Sequence, residues 1–102
     1  MFGLMVRFTC TDEQSAGKFD RLVAETIEKI KTDEPGTLVY TSHRVDGAPL
    51  QRIFYELYRD RAAFDAHEQQ EHTRRFLAAR EELLASTEVD FLDLLEGKGP
   101  IG

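Results

Sequence analysis

Three histidines, His43, His67 and His72, are the side chains of this 102-residue sequence that can exchange protons near neutral pH. His67 is predicted at the end of a short helix, where its ring can face the space between helices and sheet and accept a phenolic proton. The alternative is a ring that fills a gap in the packing and bonds to a backbone carbonyl. His72 is predicted to cap or open the next helix, and His43 to face solvent or a second copy of the chain. His67 is therefore the main candidate for a general base.

A metal site is a second kind of chemistry that these histidines suggest. His67 and His72 are five positions apart in HEQQEH, which superficially resembles a zinc-protease motif. That motif needs an i, i+4 spacing, and five positions along one helix place two rings about 140° apart. A helix break between them would bring the rings closer, but no third ligand is evident. We therefore expect neither a metal nor another cofactor.

Aromatic residues supply the candidates for substrate contacts. Tyr55 and Tyr58 each carry a hydroxyl that can hold a substrate oxygen, and we take them, with His67, as the catalytic candidates. Aromatic residues on strands more often pack in a core or a dimer contact, which is the alternative for both. The predicted substrate-binding residues, as pocket walls or polar contacts, are Tyr40, Phe64, His72 and Phe76.

Charged residues are assigned structural roles. Glu56 follows the alternation of Phe54 and Tyr58, so its carboxylate points to the same strand face. A carboxylate in that position needs a partner, and we expect an ion pair rather than a general base. The candidate partners are Arg7, Arg44 and Arg52. A solvated helix face is expected for the charged run of Arg74, Arg75, Arg80, Glu81 and Glu82.

Hydrophobic periodicity predicts the elements that position these residues. Alternating patterns predict strands over 2–10, 37–45, 52–59 and 88–95. Helical patterns predict one helix from a Thr11 cap to the stop at 34–36, and two more over about 61–68 and 71–84. Pro49 favours a hairpin loop longer than two residues. This order is typical of an α+β, ferredoxin-like βαββααβ fold, in which helices cover one face of a four-stranded antiparallel sheet.

Composition limits the possible partners and the compartment. The length suits one domain, which we place at 1–96, followed by a flexible tail at 97–102. A net charge of −6 argues against nucleic acid and against anionic membranes. The single cysteine, Cys10, excludes an internal disulfide, and the first residues lack the pattern of a signal peptide. We therefore expect a cytoplasmic protein.

The sheet face away from the helices predicts a homodimer. That face should be polar in a monomer, yet the pattern gives it several apolar residues. The candidates for this face are Met5, Val39, Phe54, Tyr58 and either Leu92 or Leu94. Two copies packed sheet to sheet would cover it.

Three segments carry a family resemblance: EPGTLVY at 34–40, FYELYRDRAAFDAH at 54–67 and EHTRRF at 71–76. Their order and spacing resemble the antibiotic biosynthesis monooxygenase family. The resemblance implies a dimeric α+β barrel built from two ferredoxin-like sheets. Some members of the family oxidise quinols or aromatic polyketides with dioxygen and without metal, flavin or haem.

The haem-degrading branch of the family is not matched. It relies on an Asn in the first strand, a Trp after the third strand and an axial His on the last helix, whereas this chain contains no Asn and no Trp. By motif register those three positions hold Val6, His67 and Leu77. The Asn/Trp site of the polyketide-oxidising members is likewise absent.

The resulting hypothesis is a cofactor-independent monooxygenase that oxidises a small aromatic quinol, polyphenol or polyketide-like substrate with dioxygen. Two alternatives stay open. One is a dimer that binds a small ligand without turning it over. The other is a cofactor-free isomerase or cyclase of the same fold.

Overall fold

Four strands and three helices follow one another along the chain in the predicted order, βαββααβ. The structure, a computed structural model, describes residues 1–101. The strands are β1 (Phe2–Cys10), β2 (Thr37–Val45), β3 (Ala48–Tyr58) and β4 (Leu84–Asp93). The helices are α1 (Glu13–Asp33), α2 (Arg61–Gln69) and α3 (Glu71–Arg80), followed by a 3₁₀ turn (Glu81–Leu83). The fold is therefore α+β and ferredoxin-like.

All neighbouring strands of the sheet are antiparallel, in the order β2-β3-β1-β4. The helices cover one face, and the core between them is built around contacting aromatic rings. These rings are Phe8, Phe19, Phe54 and Phe76. Among residues 1–101, no helix combines the length and the apolar character that a membrane crossing requires.

The N-cap of helix α1 is Asp12, one residue after the predicted cap. The side chain of Asp12 accepts a hydrogen bond from the backbone N–H of Ser15 at 2.7 Å, whereas the Thr11 hydroxyl bonds to the Ser15 hydroxyl. Both residue types can cap a helix, but a carboxylate also gains from the positive end of the helix dipole. The prediction of a Thr11 cap was therefore wrong.

The β2–β3 hairpin is tighter than Pro49 suggested. Only Asp46 and Gly47 separate the two strands, and Gly47 adopts a φ of +78°, which suits a residue without a Cβ. Pro49 lies inside β3, but the pairing of β3 with β1 begins at Gln51. Its missing N–H therefore falls beyond the reach of β1, and the prediction of a longer loop was wrong.

The last strand also differs from its predicted limits. Helix α3 ends at Arg80 rather than near Leu84, and β4 covers Leu84–Asp93 rather than 88–95. Strand β1 explains both limits, because its residues pair with β4 from Cys10 opposite Leu84 to Phe2 opposite Asp93. Backbone groups of β1 need partners along its whole length, and β4 supplies them.

The two faces of the sheet divide differently from the expectation. Phe54 and Tyr58 are fully buried under the helices, so their predicted place on the outer face was wrong. Register confirms Met5, Val39 and Leu92 on the outer face, since they lie opposite Tyr55, Leu57 and Gly3 respectively. Side chains alternate along β3, and the helices cover the Phe54 side.

Candidate functional site

A cavity of about 160 Å³ lies between the inner face of the sheet and helices α2 and α3. Its apolar wall includes Val6, Phe8, Phe64, Phe76, Leu77 and Phe91. All four strands and both short helices contribute to the lining. The family resemblance singled out Val6, His67 and Leu77, and all three line this one cavity.

Polar groups reach the cavity from four elements. Tyr40 comes from β2 and Glu56 from β3, while the remaining groups come from the helix pair. The polar or charged lining residues from the helices are His67, Glu68, Thr73 and Arg80. The site is thus a small apolar space with a few convergent polar groups, which is the usual form of a small-molecule site.

A break between α2 and α3 brings the two histidines together. Asp60 caps α2 through the backbone N–H of Ala63 at 2.8 Å, and Gln70, with ψ of 142°, interrupts the helix after Gln69. His67 at the end of α2 and His72 at the start of α3 therefore approach the same carboxylate, although their spacing in one continuous helix would separate them. The helix break therefore brings the two histidine rings together, as the sequence had left open.

That carboxylate belongs to Glu34, the residue directly after α1. Its Oε1 accepts from His67 Nδ1 at 2.7 Å and from the Thr37 hydroxyl at 2.7 Å, and its Oε2 accepts from His72 Nε2. Glu34 is 7% exposed and His67 4% exposed. The cluster is therefore buried and its carboxylate is fully hydrogen-bonded.

The hydrogen bonds determine the charge of Glu34. Burial raises the pKa of this carboxyl, but the donors on His67, Thr37 and His72 outweigh burial and hold the pKa below its ordinary value. An ionised carboxylate can only accept, so His67 Nδ1 and His72 Nε2 carry the hydrogens. The second ring nitrogen of His67, Nε2, has no hydrogen-bond partner among residues 1–101. Glu34 thus orients the ring of His67 and selects its tautomer.

A second buried carboxyl lies on the sheet side of the cavity. Glu56 accepts a hydrogen bond from the Tyr58 hydroxyl at 2.5 Å. Burial raises the pKa of Glu56, and the single donor on Tyr58 only partly offsets this effect. Burial and the neighbouring Glu56 also raise the pKa of Tyr58, so its hydroxyl remains a donor. Tyr58 positions Glu56 and does not itself line the cavity.

Tyr40 and Arg80 complete the polar lining. The Tyr40 ring lies 5.4 Å from that of His67 between centroids, and burial raises the pKa of Tyr40 well above its ordinary value. Its hydroxyl therefore serves as a neutral hydrogen-bond donor. The Arg80 guanidinium lies over the rings of Phe8 and Phe76, at 5.1 and 5.3 Å from their centroids. Such contacts stabilise a cation without neutralising it.

The predicted site residues fall into three groups. His67, Tyr40, Phe64 and Phe76 line the cavity together. Tyr58 lies one hydrogen bond behind it, through Glu56, whereas His72 lies two hydrogen bonds behind it, through Glu34 and His67. Tyr55 lies on the outer face of the sheet, in a groove with Leu57 and Leu92, and does not share the cavity with His67. Alternation along β3 makes this separation unavoidable, because Tyr55 points opposite to its neighbours.

Two expectations about charged residues were wrong. Glu56 forms no ion pair within residues 1–101, because Arg52 binds Asp20 at 2.8 Å, Arg7 binds Gln51 at 2.7 Å and Arg44 is exposed. Arg80 is not on a solvated helix face but is half-buried beside the cavity. Helix α3 ends at Arg80, so the periodicity that extended the helix assigned this side chain to the wrong surroundings.

Glu34 is the functional candidate that sequence reasoning missed. Its segment, Glu34-Pro35-Gly36, was interpreted as a helix stop and as part of the family resemblance. The available signal was an acidic residue directly after a helix, where a carboxylate meets the negative end of the dipole and therefore needs other stabilisation.

Comparisons with known proteins agree with this architecture. A sequence model described as "Antibiotic biosynthesis monooxygenase" matches residues 1–79. The chain belongs to the antibiotic biosynthesis monooxygenase family. A comparison with curated proteins finds no match.

Solved structures share the fold of this family member over nearly its whole length. A candidate antibiotic biosynthesis monooxygenase from Caulobacter crescentus CB15 is 24% identical, with a TM-score of 0.87 over 93% of this chain and 90% of that one. The protein PA3566 of Pseudomonas aeruginosa is 26% identical, with a TM-score of 0.84 over 93% and 94%. The protein Rv0793 of Mycobacterium tuberculosis is 22% identical, with a TM-score of 0.86 over 96% and 98%.

Proposed function

We propose that this protein is a cofactor-independent monooxygenase that oxidises a small, electron-rich hydroxyaromatic molecule with dioxygen. The observation that carries the proposal is His67, held through Nδ1 by the ionised Glu34 in the wall of an apolar cavity. A carboxylate–imidazole pair of this kind is a common arrangement for a general base. Family membership supports the oxygenase class.

Proton removal from the substrate is the first step. His67 Nε2, which has no protein partner, accepts the proton of a substrate hydroxyl, and Glu34 stabilises the imidazolium that forms. Tyr40, a neutral donor in the same cavity, can bind the resulting aryloxide oxygen. Phe64 and Phe76 exclude water, which leaves the aryloxide poorly solvated and a better electron donor.

Dioxygen is the co-substrate and the oxidant. The aryloxide transfers one electron to dioxygen, and the two radicals couple to form a C–O bond at a ring carbon that bears hydrogen. His67 then returns its proton to the peroxide. The O–O bond breaks, one oxygen stays on the ring as a carbonyl, and the other leaves as water with two substrate hydrogens. All electrons come from the substrate, so this reaction needs no cofactor.

Dioxygen uptake by chelator-treated protein tests the proposal. The panel is hydroquinones, naphthoquinols and anthrones, and the variants are His67→Ala, Glu34→Gln and the control His43→Ala, whose histidine lies exposed on β2. We expect uptake above the spontaneous rate, a fall of at least about tenfold in His67→Ala, and wild-type rates in the control. Circular dichroism verifies that each variant is folded.

The other outcomes identify the alternatives. Unchanged uptake in His67→Ala would retain the oxygenase and reject its base. Substrate rearrangement without dioxygen consumption would establish the isomerase or cyclase. Tight binding of a panel member with no turnover of any kind would indicate a ligand-binding protein.

The proposal includes a location in the reducing cytoplasm, which suits the single buried Cys10. It also includes a homodimer. Support for the dimer comes from the outer sheet face, where Tyr55, Leu57 and Leu92 border an apolar groove. Leu92 is the exposed apolar side chain of β4 on this face, at 37% exposed. Apolar surface of this kind commonly marks an interface.

Sedimentation measures the assembly directly. We expect wild type to sediment as a dimer and Leu92→Asp, which places a charge in the groove, as a monomer. Ala78→Asp, on the exposed side of α3, is the matched control and should remain dimeric. A monomeric wild type would reject the homodimer.

A further inference from the structure

Arg80 is a partly buried cation whose charge no carboxylate of the described chain neutralises. Its guanidinium lies over the faces of Phe8 and Phe76 and has no hydrogen bond and no ion pair within residues 1–101. Within residues 1–101, every polar side-chain atom that is fully buried has a hydrogen-bond partner. The unpartnered nitrogens of Arg80 are therefore accessible, beside the cavity that this residue lines.

The contrast with Arg52 shows that the fold can pair a buried arginine. Arg52, 5% exposed, makes two hydrogen bonds to the carboxylate of Asp20, at 2.8 and 2.9 Å. Arg80 has acidic residues in its surroundings, but none of them comes within ion-pairing distance of its guanidinium. These residues are Glu56, Glu68 and Glu81.

Glu56 is poorly suited to act as the counterion. Its carboxyl is engaged by Tyr58, and burial raises its pKa, so the neutral form persists to higher pH than in water. Burial lowers the pKa of Arg80, which shows that the site disfavours its isolated charge. A ligand anion would remove that penalty, and a carboxylate matches the guanidinium fork with two parallel hydrogen bonds.

Cavity size limits the rest of the ligand. A cavity of about 150 Å³ lined by apolar side chains is known to hold one benzene ring. The volume here is about 160 Å³. The space therefore suits a single aromatic ring, and the three fused rings of an anthrone exceed it.

We propose that the cavity binds a single-ring hydroxyaromatic acid, with the ring between Phe8 and Phe76 on one side and Phe64 on the other and the carboxylate on Arg80. This substrate class rests on the oxygenase function proposed above. The carboxylate on Arg80 and the hydroxyl at His67 fix the ring at two points, which determines the carbon that is exposed to dioxygen.

Anaerobic binding tests the proposal without turnover. The probes are 2,5-dihydroxybenzoate and hydroquinone, which differ by one carboxylate, and titration calorimetry measures both. We expect wild type to bind the acid at least about tenfold more tightly, a preference that corresponds to about 1.4 kcal/mol. Arg80→Gln should bind both probes equally, Arg80→Lys should keep part of the preference, and the control Arg75→Gln, on the exposed side of α3, should keep all of it.

Equal affinities of wild type for the two probes, or an undiminished preference in Arg80→Gln, would overturn the carboxylate subsite. A three-ring hydroxy acid that binds as tightly as the single-ring acid would overturn the size limit. Anaerobic binding also separates the two proposals. Arg80-dependent binding without dioxygen uptake rejects the oxygenase alone, whereas uptake with no preference for the acid rejects the subsite alone.

Discussion

Two buried glutamates have opposite electrostatic behaviour: Glu56 lines the cavity, and Glu34 lies behind its lining residue His67. Glu34 lies between the end of α1 and the α2–α3 break, and Glu56 lies on β3 under the helices. Burial raises the pKa of both carboxyls, yet the pKa of Glu34 ends below the ordinary value of 4.5 and that of Glu56 above it. The two residues are similarly shielded from solvent, at 7% and 6% exposed, although Glu56 is surrounded more completely by protein atoms.

The number of hydrogen-bond donors explains the difference together with the deeper burial of Glu56. Glu34 accepts from three side chains and Glu56 from one. Several donors to a carboxylate stabilise its charged form, whereas one donor leaves most of the desolvation penalty in place. The same residue type therefore supplies an anion that orients a base at one position and, at the other, a carboxyl that keeps its proton to higher pH than in water.

Removal of the Glu34 carboxylate should have the largest effect. Glu34→Ala leaves the donors of His67, His72 and Thr37 without an acceptor in the protein interior, and we expect a loss of about 3–5 kcal/mol in the free energy of unfolding. Urea denaturation measures this loss. The control Glu25→Ala, at an exposed position of α1, should change stability by no more than about 0.5 kcal/mol. Equal effects of the two substitutions would contradict a structural role for the cluster.

The pH dependence of stability should distinguish the two carboxyls by sign. A depressed folded pKa stabilises the protein above the unfolded value, so the contribution of Glu34 is complete above pH 4.5 and is lost as the pH falls through its folded pKa. A raised folded pKa has the opposite effect, so Glu56 lowers stability as the pH rises from 4.5 through its folded pKa. Each pKa unit of difference contributes about 1.4 kcal/mol.

Urea denaturation across the pH range measures both slopes. We expect Glu34→Gln to flatten the loss of stability at acidic pH. We expect Glu56→Gln to flatten the decline in stability that begins above pH 4.5. The comparison between the two glutamates fails if both variants flatten the same limb.

Loss of one hydroxyl donor from each carboxyl should have the smallest effect. Thr37→Val and Tyr58→Phe each remove a single hydrogen bond, and we expect each to cost about 1 kcal/mol. Both changes should raise the pKa of the carboxyl that loses its donor. In Thr37→Val the pKa of Glu34 should therefore move towards that of Glu56. Carboxyl ¹³C chemical shifts followed through a pH titration measure these pKa values. An unchanged pKa in Thr37→Val would show that donor number does not govern Glu34.

Most of the fold could be predicted from the sequence because periodicity is a local property. Alternation in β1 and the helical pattern of α1 identified both elements, and the predicted start of the second helix at residue 61 is confirmed. The errors lie where pairing with a neighbouring strand determines the limits of an element. Residues 84–87 join β4 only because β1 extends to Cys10 and needs a partner there, and Pro49 is tolerated in β3 because β1 ends before it.

The candidate site was predicted in part. His67, Tyr40, Phe64 and Phe76 line one cavity, as residues of suitable type on elements that face one another. Glu34 and Arg80 were missed, because the surroundings of a charged side chain depend on contacts between distant parts of the chain. Glu34 meets His67 and His72 from 33 and 38 positions away.

The sequence by itself determined the order of elements, which residues within one strand share a face, and the family to which the chain belongs. Only the tertiary structure decided which charges are neutralised. The angle at the α2–α3 break places two histidines on Glu34, and the packing of α3 over β1 leaves Arg80 without a carboxylate partner. The physical reason is that periodicity is encoded over a few residues, whereas hydrogen bonds and desolvation depend on atoms a few ångströms apart in space.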